Sequence, residues 1–323
     1  MSLLEGKVVV SAVKKPLITE IQRFATENGP GIRSVVFIKG CPLHCPWCYS
    51  PECISTEAEL FYDEDKCTVC GQCAKACPEK AITMLGPKGK LPHRNRKRCT
   101  GCMECVKACP QNALSRAGEH LTVEQVLKEA LSDMPFYKNS GGGVTISGGE
   151  PLFFPEYTIE LARRLQNADC HVAVESSGFG KWEDLKQLAA YTNLFLYSIK
   201  HMNPLKHRVV TGVSNDLILS NLQKLAGQNV KIRIRVPVVP GFNNEKHNFE
   251  SMAAFFSTLD KKVTAVDLLP FYNLAGTKYR QLEKDYKYEG QPSMEDEEVR
   301  ELEEVLKNKG FVTTVGGTIG VEL

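Results

Sequence analysis

The stretch SVVFIKGCPLHCPWC, Ser34–Cys48, joins a short apolar run to a loop that carries three cysteines. The apolar run is strand-like, and the prolines that follow it exclude a regular helix from the loop. The thiols of Cys41, Cys45 and Cys48 can bind three irons of a 4Fe–4S cube and leave the fourth iron without a protein ligand. Catalytic zinc sites keep an open position in the same way. The loop therefore predicts a metal centre that binds a small molecule at the end of a strand.

Cys53 leaves one question open at this loop. It lies five residues beyond Cys48, where it is either a fourth ligand that closes the cluster or a spare thiol near the site. The longer spacing favours the spare thiol, and the loop then keeps its open iron.

The 13 cysteines of this 323-residue chain are unevenly distributed. Twelve of them lie between Cys41 and Cys109, and only Cys170 lies elsewhere. A disulfide framework spreads its cross-links over the fold, and the N-terminal stretch has no apolar run typical of a signal peptide. Cysteines clustered at short, regular spacings are typical of metal centres.

The remaining composition is that of an ordinary globular protein, with 42% hydrophobic residues, 24% charged residues and a net charge of +2. Such a balance gives no electrostatic reason to expect nucleic acid or a membrane surface as a partner. No apolar stretch is long enough for a transmembrane helix. We therefore expect a soluble cytoplasmic protein.

Two copies of one motif begin at Cys67 and Cys99, and each reads C-x2-C-x2-C-x3-C-P. This is the run of bacterial two-cluster ferredoxins, in which the fourth cysteine binds the other cluster. Zinc knuckles are the alternative for C-x2-C pairs, but the repeated Cys-Pro ending favours iron–sulfur clusters that pass electrons. The predicted ligand sets are Cys67, Cys70, Cys73 and Cys109 for one cluster, and Cys99, Cys102, Cys105 and Cys77 for the second.

The rest of the chain alternates buried apolar runs with helical periods, which predicts β–α units and a parallel sheet. The six predicted strands lie at 34–39, 143–149, 171–177, 194–200, 230–239 and 263–270. The predicted helices lie at 122–133, 155–167, 181–190, 214–227, 246–259 and 294–308. Six such units favour an α/β fold of the partial TIM-type (β/α)6 barrel class, whose chemistry lies at the carboxyl ends of the strands.

The barrel is predicted to carry the cysteine repeat as an insert. Residues 1–61 form its first part with the cluster loop, 62–118 the ferredoxin-like insert with two 4Fe–4S clusters, and 119–323 the remainder. A basic run between the two motif copies, HRNRKR, is expected to be a solvated turn.

The three-cysteine loop, together with SGGEP at Ser147–Pro151, resembles the radical S-adenosylmethionine (SAM) superfamily. NGPGIR before the first strand, TGVSN at Thr211–Asn215 and the two-cluster insert are similar to glycyl radical enzyme activating enzymes. The resemblance implies an anaerobic enzyme that cleaves SAM at the cluster of Cys41, Cys45 and Cys48 and removes a hydrogen atom from a backbone glycine of a partner enzyme. It also implies three 4Fe–4S clusters in all and a low-potential electron donor such as ferredoxin or flavodoxin.

The resemblance further implies which residues contact SAM. The glycine pair of SGGEP lets the backbone approach the cofactor, and the carboxylate of Glu150 is suited to its ammonium group. The ten implied contact residues are Trp47, Tyr49, Gly148, Gly149, Glu150, Glu175, Ser198, Lys200, Arg235 and Tyr272.

Several positions depart from the family pattern. Asn28 and Ser198 stand where the family usually has aspartate, and Glu175 is one methylene longer than the usual aspartate. Ser50 replaces an asparagine, and Tyr272 replaces a histidine but still has a hydroxyl that donates a hydrogen bond. A retuned cofactor pocket is the expectation, and a weakened or inactive activating enzyme is the alternative.

Two other functions stay open at this stage. One is a different radical SAM reaction on a small molecule or peptide, and the other is an electron-transfer protein whose barrel is only a scaffold. Among activating enzymes, the run from Glu129 to Pro155 is most similar to activators of benzylsuccinate synthase-type enzymes, which add hydrocarbons to fumarate. Activators of arylacetate decarboxylases and of glycerol or choline lyases share much of the same layout and stay open as alternatives.

Overall fold

The computed structural model describes residues 15–85, 91–259 and 263–317. Its strands are β1 Leu17–Ala25, β2 Arg33–Lys39, β3 Glu59–Tyr62, β4 Ile82–Leu85, β5 Leu91–Arg94, β6 Leu114–Ala117, β7 Gly143–Gly148, β8 Val172–Ser176, β9 Leu194–Ser198, β10 Lys231–Val238, β11 Val263–Pro270 and β12 Thr313–Val315. Its helices are α1 Gln72–Ala76, α2 Glu104–Lys107, α3 Val123–Ala130, α4 Met134–Ser140, α5 Pro155–Asn167, α6 Trp182–Ala189, α7 Pro204–Thr211, α8 Asp216–Ala226, α9 Lys246–Phe256, α10 Gly276–Gln281 and α11 Asp296–Lys307.

One eight-stranded sheet forms the body of the molecule, with the strand order β1-β2-β7-β8-β9-β10-β11-β12. All neighbouring strands from β2 to β12 are parallel, and β1 is antiparallel to β2. Because spatial order follows chain order and helices separate the strands, the sheet winds in one direction, as in a TIM-type barrel. The predicted fold class is confirmed. All six predicted strands are present, and β1 and β12 are additions.

The predicted helices are also present, with small differences at their ends. Helix α5 has the predicted bounds, and α6, α8, α9 and α11 lie within their predicted ranges. The helix predicted at 122–133 ends earlier as α3, continues as one 3-10 turn and is followed by α4. The sequence patterns missed α4, α7 and α10.

Side chains alternate between the two faces of the sheet. Val172 and Val174 of β8 pack into the main core beneath the helices, whereas Ala173 belongs to a separate small cluster with Leu194 and Leu196 of β9. The residues that alternate in this way fill the concave side of the sheet, and polar side chains continue that layer toward the carboxyl ends of the strands. This is the face that presents the predicted site residues.

The segment between β2 and β7 carries two small antiparallel sheets, β3-β6 and β4-β5, with α1 and α2. Strands β3 and β6 form a two-stranded stem in which Glu59 pairs with Ala117, so the segment leaves and rejoins the barrel at one place. The predicted domain boundaries at 62 and 118 fall at the ends of this stem, and the division into domains stays a prediction.

The basic run HRNRKR is only partly the solvated turn that the sequence predicts. Lys97 is exposed, but Arg94 forms an ion pair with Glu283 at 3.1 Å. Arg96 donates hydrogen bonds to the carbonyl groups of Leu282 and Glu283. The expectation is wrong for these two arginines, because the turn contacts the barrel just beyond α10. Within the described part of the chain, no helix is long and apolar enough to cross a membrane.

Candidate cofactor site and cluster-binding cysteines

The three-cysteine loop begins directly after β2 and is held by main-chain hydrogen bonds on both sides. The amide of Cys41 donates to the Ile54 carbonyl at 3.0 Å, and the amide of His44 donates to the Thr211 carbonyl at 2.8 Å. A third bond, from Cys48 N to Cys45 O at 3.0 Å, closes a turn inside the loop. These contacts hold the three thiols at the carboxyl end of a strand, where the sequence predicts the site.

Burial dominates the chemistry of the loop thiols. It raises the pKa of Cys41 and Cys45, and it raises the pKa of Cys48 to about 12. The charge of Lys200 opposes this effect at Cys45 and Cys48, which places the ammonium group of this predicted site residue close to the loop. Metal binding requires thiolates and releases their protons, so a nearby cation favours the form that binds.

Cys53 has a hydrogen-bond partner outside the three-cysteine loop. Its sulfur lies 3.2 Å from the hydroxyl oxygen of Thr19 on β1, and its side chain is 1% exposed. The burial raises the pKa of Cys53 to about 12. This arrangement is that of a spare thiol with its own hydrogen-bond partner.

The glycine pair after β7 allows two strand ends to approach closely. A Cβ at Gly148, where φ is +119°, would lie 2.2 Å from the carbonyl oxygen of Ile38, and one at Gly149 would lie 2.3 Å from that of Gly40. The amide of Gly149 donates to the Ile38 carbonyl at 2.8 Å. The glycines are therefore required for packing against the end of β2, in addition to the predicted approach to a cofactor.

The carboxylate of Glu150 has hydrogen-bond partners within the chain, besides the predicted contact with an ammonium group. Glu150 is 1% exposed and accepts four hydrogen bonds of 2.5–3.1 Å from the Ser176 hydroxyl, the Ser177 hydroxyl and amide, and the Leu152 amide. Burial raises the pKa of Glu150, and the two serine hydroxyls oppose that shift. With two bonds to each oxygen, the carboxylate joins β7 to β8, and its contact with the ammonium group of the cofactor stays a prediction.

Glu175 and Arg235 meet in a polar network on the concave face. Arg235 Nη1 lies 2.7 Å from Glu175 Oε1, and the second carboxylate oxygen accepts bonds from Ser147 at 2.8 Å and from Asn28 Nδ2 at 3.2 Å. Arg235 Nη2 also donates to the Glu27 carbonyl at 3.1 Å. Two departures from the family pattern thus contact each other, because the amide at position 28 donates to a carboxylate that an aspartate there would repel.

Three predicted contact residues are aromatic. The ring of Trp47 packs against Phe242, with 4.7 Å between centroids. Tyr49 is 55% exposed, with the Lys278 ammonium 5.6 Å from its ring centre, and Tyr272 is 46% exposed just beyond β11. Trp47 is therefore fixed by packing, whereas the two tyrosines lie on the surface near the site.

The last predicted contact residue, Ser198, is partly buried at the end of β9. Other polar residues near the site escaped the sequence analysis. Ser176 and Ser177 are visible only as an ordinary strand end, and Lys39 reads as the last residue of an apolar strand. Nothing in their local sequence signals a buried polar contact.

The eight cysteines of the repeat line two small cavities, four at each. The first is lined by Cys67, Cys70, Cys73 and Cys109, and the second by Cys77, Cys99, Cys102 and Cys105. These are the two sets that the ferredoxin motif predicts, each with its fourth cysteine taken from the other copy. Four thiols around an apolar cavity have the donor chemistry that a 4Fe–4S cluster requires.

Comparisons with known proteins agree with this picture of the chain. Sequence profiles of the radical SAM superfamily, a 4Fe-4S dicluster domain and a 4Fe-4S single cluster domain match residues 96–253, 66–113 and 27–89. The chain therefore carries domains of the kinds that hold iron–sulfur clusters and use SAM.

Named relatives extend over nearly the full chain. The benzylsuccinate synthase activating enzyme of Thauera aromatica is 40% identical over 314 residues, which cover 96% of this chain and 95% of that protein. The choline trimethylamine-lyase activating enzyme of Oleidesulfovibrio alaskensis is 35% identical and covers 94% of this chain and 98% of that protein. A solved domain of a pyruvate-formate lyase-activating enzyme from Bacteroides vulgatus is 27% identical, with a TM-score of 0.47 over 55% of this chain and all of that domain. With full-length relatives at such identity, the chain belongs to the radical SAM glycyl radical enzyme activating enzymes.

Proposed function

We propose that this activating enzyme works with three 4Fe–4S clusters, one at the three-cysteine loop and two in the insert. The observation that carries the proposal is the grouping of the eight insert cysteines around two cavities, apart from the loop thiols after β2. The loop cluster, with its open iron, would bind SAM and supply the electron for its cleavage. The insert clusters have four thiols each, and we infer that they pass electrons to the loop from a low-potential donor such as ferredoxin or flavodoxin.

The chain's own residues prepare the site for this chemistry. Lys200 stabilises the thiolate forms of Cys45 and Cys48, and the ion pair of the buried Arg235 with the partly exposed Glu175 lines the concave face. Trp47 closes one side through its contact with Phe242. We infer that these groups orient SAM and exclude water from it, since few water molecules reach a face lined by packed side chains.

Replacing Cys109 by alanine tests the proposed cluster inventory. We expect the iron content of the anaerobically reconstituted protein to fall below about twelve atoms per chain, by one atom up to one whole cluster of about four, because one iron of a four-thiol set loses its protein ligand. Iron and sulfide analysis measures the loss, and Cys170→Ala is the control, since this buried cysteine lies outside both cavities. An unchanged iron content in Cys109→Ala would contradict the assignment.

The chain activates a partner glycyl radical enzyme, and we propose that the partner is of the benzylsuccinate synthase type. The support is the 40% identity to an activating enzyme of that name, compared with 35% for the choline lyase activating enzyme. We place the reaction in the cytoplasm, where thiols remain reduced.

Anaerobic incubation with purified candidate partners tests this assignment. We expect a glycyl radical signal in electron paramagnetic resonance with an enzyme of the benzylsuccinate synthase type, and little or none with a choline trimethylamine-lyase. The same signal strength with the choline lyase would show that the partner class is wrong, while leaving the activating function intact.

A further inference from the structure

Lys39, two residues before the first loop thiol, is a fully buried lysine. Its side chain is 0% exposed, and its ammonium group donates to the Glu52 carbonyl and to Glu59 Oε2 at 2.9 Å. Lysine is almost never fully buried unless it is paired. A Cβ at Gly118 would lie 2.9 Å from Cδ of this lysine. The aliphatic part of the Lys39 side chain therefore packs against the place where the insert rejoins the barrel.

Glu59 is the first residue of the stem and faces two cations. Its Oε2 contacts Lys39, and its Oε1 lies 2.9 Å from Nζ of Lys284, just beyond α10. Burial alone would raise the pKa of Glu59, but the two lysines hold it below its ordinary value. One carboxylate thus joins the end of β2, the start of the insert and the connection that follows β11.

Helix α10 and the residues that follow it up to Lys284, here called the α10 segment, also contact the chain just beyond the cluster loop. Lys284 Nζ also donates to the Pro51 carbonyl at 3.1 Å, and Lys278 Nζ lies 2.6 Å from Glu52 Oε1. Glu52 is buried in the 3-10 turn only a few residues past the last loop thiol. The same segment contacts the insert at a second place through Glu283 and Arg94. It therefore touches both the insert and the loop.

We propose that Lys39, Glu52, Glu59, Lys278 and Lys284 form a junction that fixes the insert relative to the three-cysteine loop, with Glu59 as the central positioning residue. The proposal rests on the proposed relay of electrons from the insert. In that step one reduced insert cluster would lose one electron, and the cluster held by Cys41, Cys45 and Cys48 would gain it. The electron is replaced by a low-potential protein donor, and no proton or other group moves.

Glu59→Gln tests the junction, because it keeps the shape of the side chain and removes the charge that both lysines face. With reduced flavodoxin as the donor, we expect single-turnover formation of 5′-deoxyadenosine to slow by about 10- to 100-fold, as displacement of well-placed groups does elsewhere. The iron content should not change. In the cluster-loaded enzyme without SAM, hydrogen exchange at the amides of β3 and β6 should become faster.

Two further variants frame the result. Glu124→Gln is the matched control, since it breaks an exposed ion pair with Arg164 at 2.7 Å that lies between α3 and α5. The double variant Cys70→Ala, Cys102→Ala removes a ligand from each insert cluster and gives the rate without a relay. Glu59→Gln should approach that rate, and the control should match the unaltered enzyme.

A Glu59→Gln enzyme as fast as the unaltered one, while the double cysteine variant is slow, overturns the junction. If the double cysteine variant forms 5′-deoxyadenosine as fast as the unaltered enzyme, the relay is overturned. In that case, unchanged hydrogen exchange at β3 and β6 in Glu59→Gln overturns the junction by itself. If Glu59→Gln fails to load its clusters, Lys284→Met takes its place. That variant removes the contacts of Lys284 with Glu59 and with the Pro51 carbonyl, keeps the pair of Lys39 and Glu59, and is expected to show the same slow turnover and faster exchange.

Discussion

A Cys45→Ala variant is expected to lose SAM cleavage down to the background rate while it keeps both insert clusters. Cys45 is the most buried of the three loop thiols by side-chain exposure, and without it only two cysteines remain for the loop cluster. The iron content of the Cys45→Ala variant should fall from about twelve to about eight atoms per chain, because the loop cluster is lost. Iron analysis and chromatography of 5′-deoxyadenosine measure the two effects in one preparation.

Cys53→Ala is the matched control for this experiment. Because its thiol contacts Thr19, we expect this variant to keep the full iron content and to cleave SAM normally. Loss of iron in Cys53→Ala, together with normal cleavage in Cys45→Ala, would show that the ligands of the loop cluster are wrongly assigned and that the open iron lies elsewhere.

The second large effect is expected at Glu150. In Glu150→Gln an amide NH2 group replaces one carboxylate oxygen, so that two buried donors lose their acceptor and face another donor. We expect the free energy of unfolding to fall by about 2–4 kcal/mol, since each buried donor left unpaired costs about 1–3 kcal/mol. Denaturant unfolding of the cluster-free chain measures this loss without any contribution from SAM.

Glu156→Gln supplies the comparison, because Glu156 is an exposed residue in the first turn of α5 and its loss should change stability by less than about 0.5 kcal/mol. If Glu150→Gln were as stable as this control and instead bound SAM more weakly, the carboxylate would have the cofactor contact that the family resemblance implies, and the buried network would be incidental.

The six central strands were predictable because parallel strands covered on both faces require continuous apolar runs such as VVFI in β2. The other elements lack that signal. β1 is an edge strand with buried residues only at its two ends, and β12 has only three residues. Helix α7 exposes Leu205 and Val209, and α10 has six residues, so neither shows a clear helical period.

The candidate site was predictable in its ligands and less so in its contacts. Cysteine spacing is a local property, and it indicates both cluster sets even though the fourth ligand of each comes from the other copy. The partner of a carboxylate is a non-local property. Nothing in SGGEP distinguishes a glutamate that contacts a cofactor from one that contacts Ser176. Likewise, the sequence around Lys39 does not indicate that its partner is a glutamate 20 residues later.

The pairing of Glu59 with Ala117 has a consequence for how such a chain arises. Both ends of the insert leave the barrel side by side, so a gene segment gained or lost at this point does not disturb the order of the surrounding strands. Lys39 depends on the insert, because without Glu59 its charge would be buried and unpaired. In descendants that discard the module, an uncharged residue is expected to have taken the place of this lysine as well.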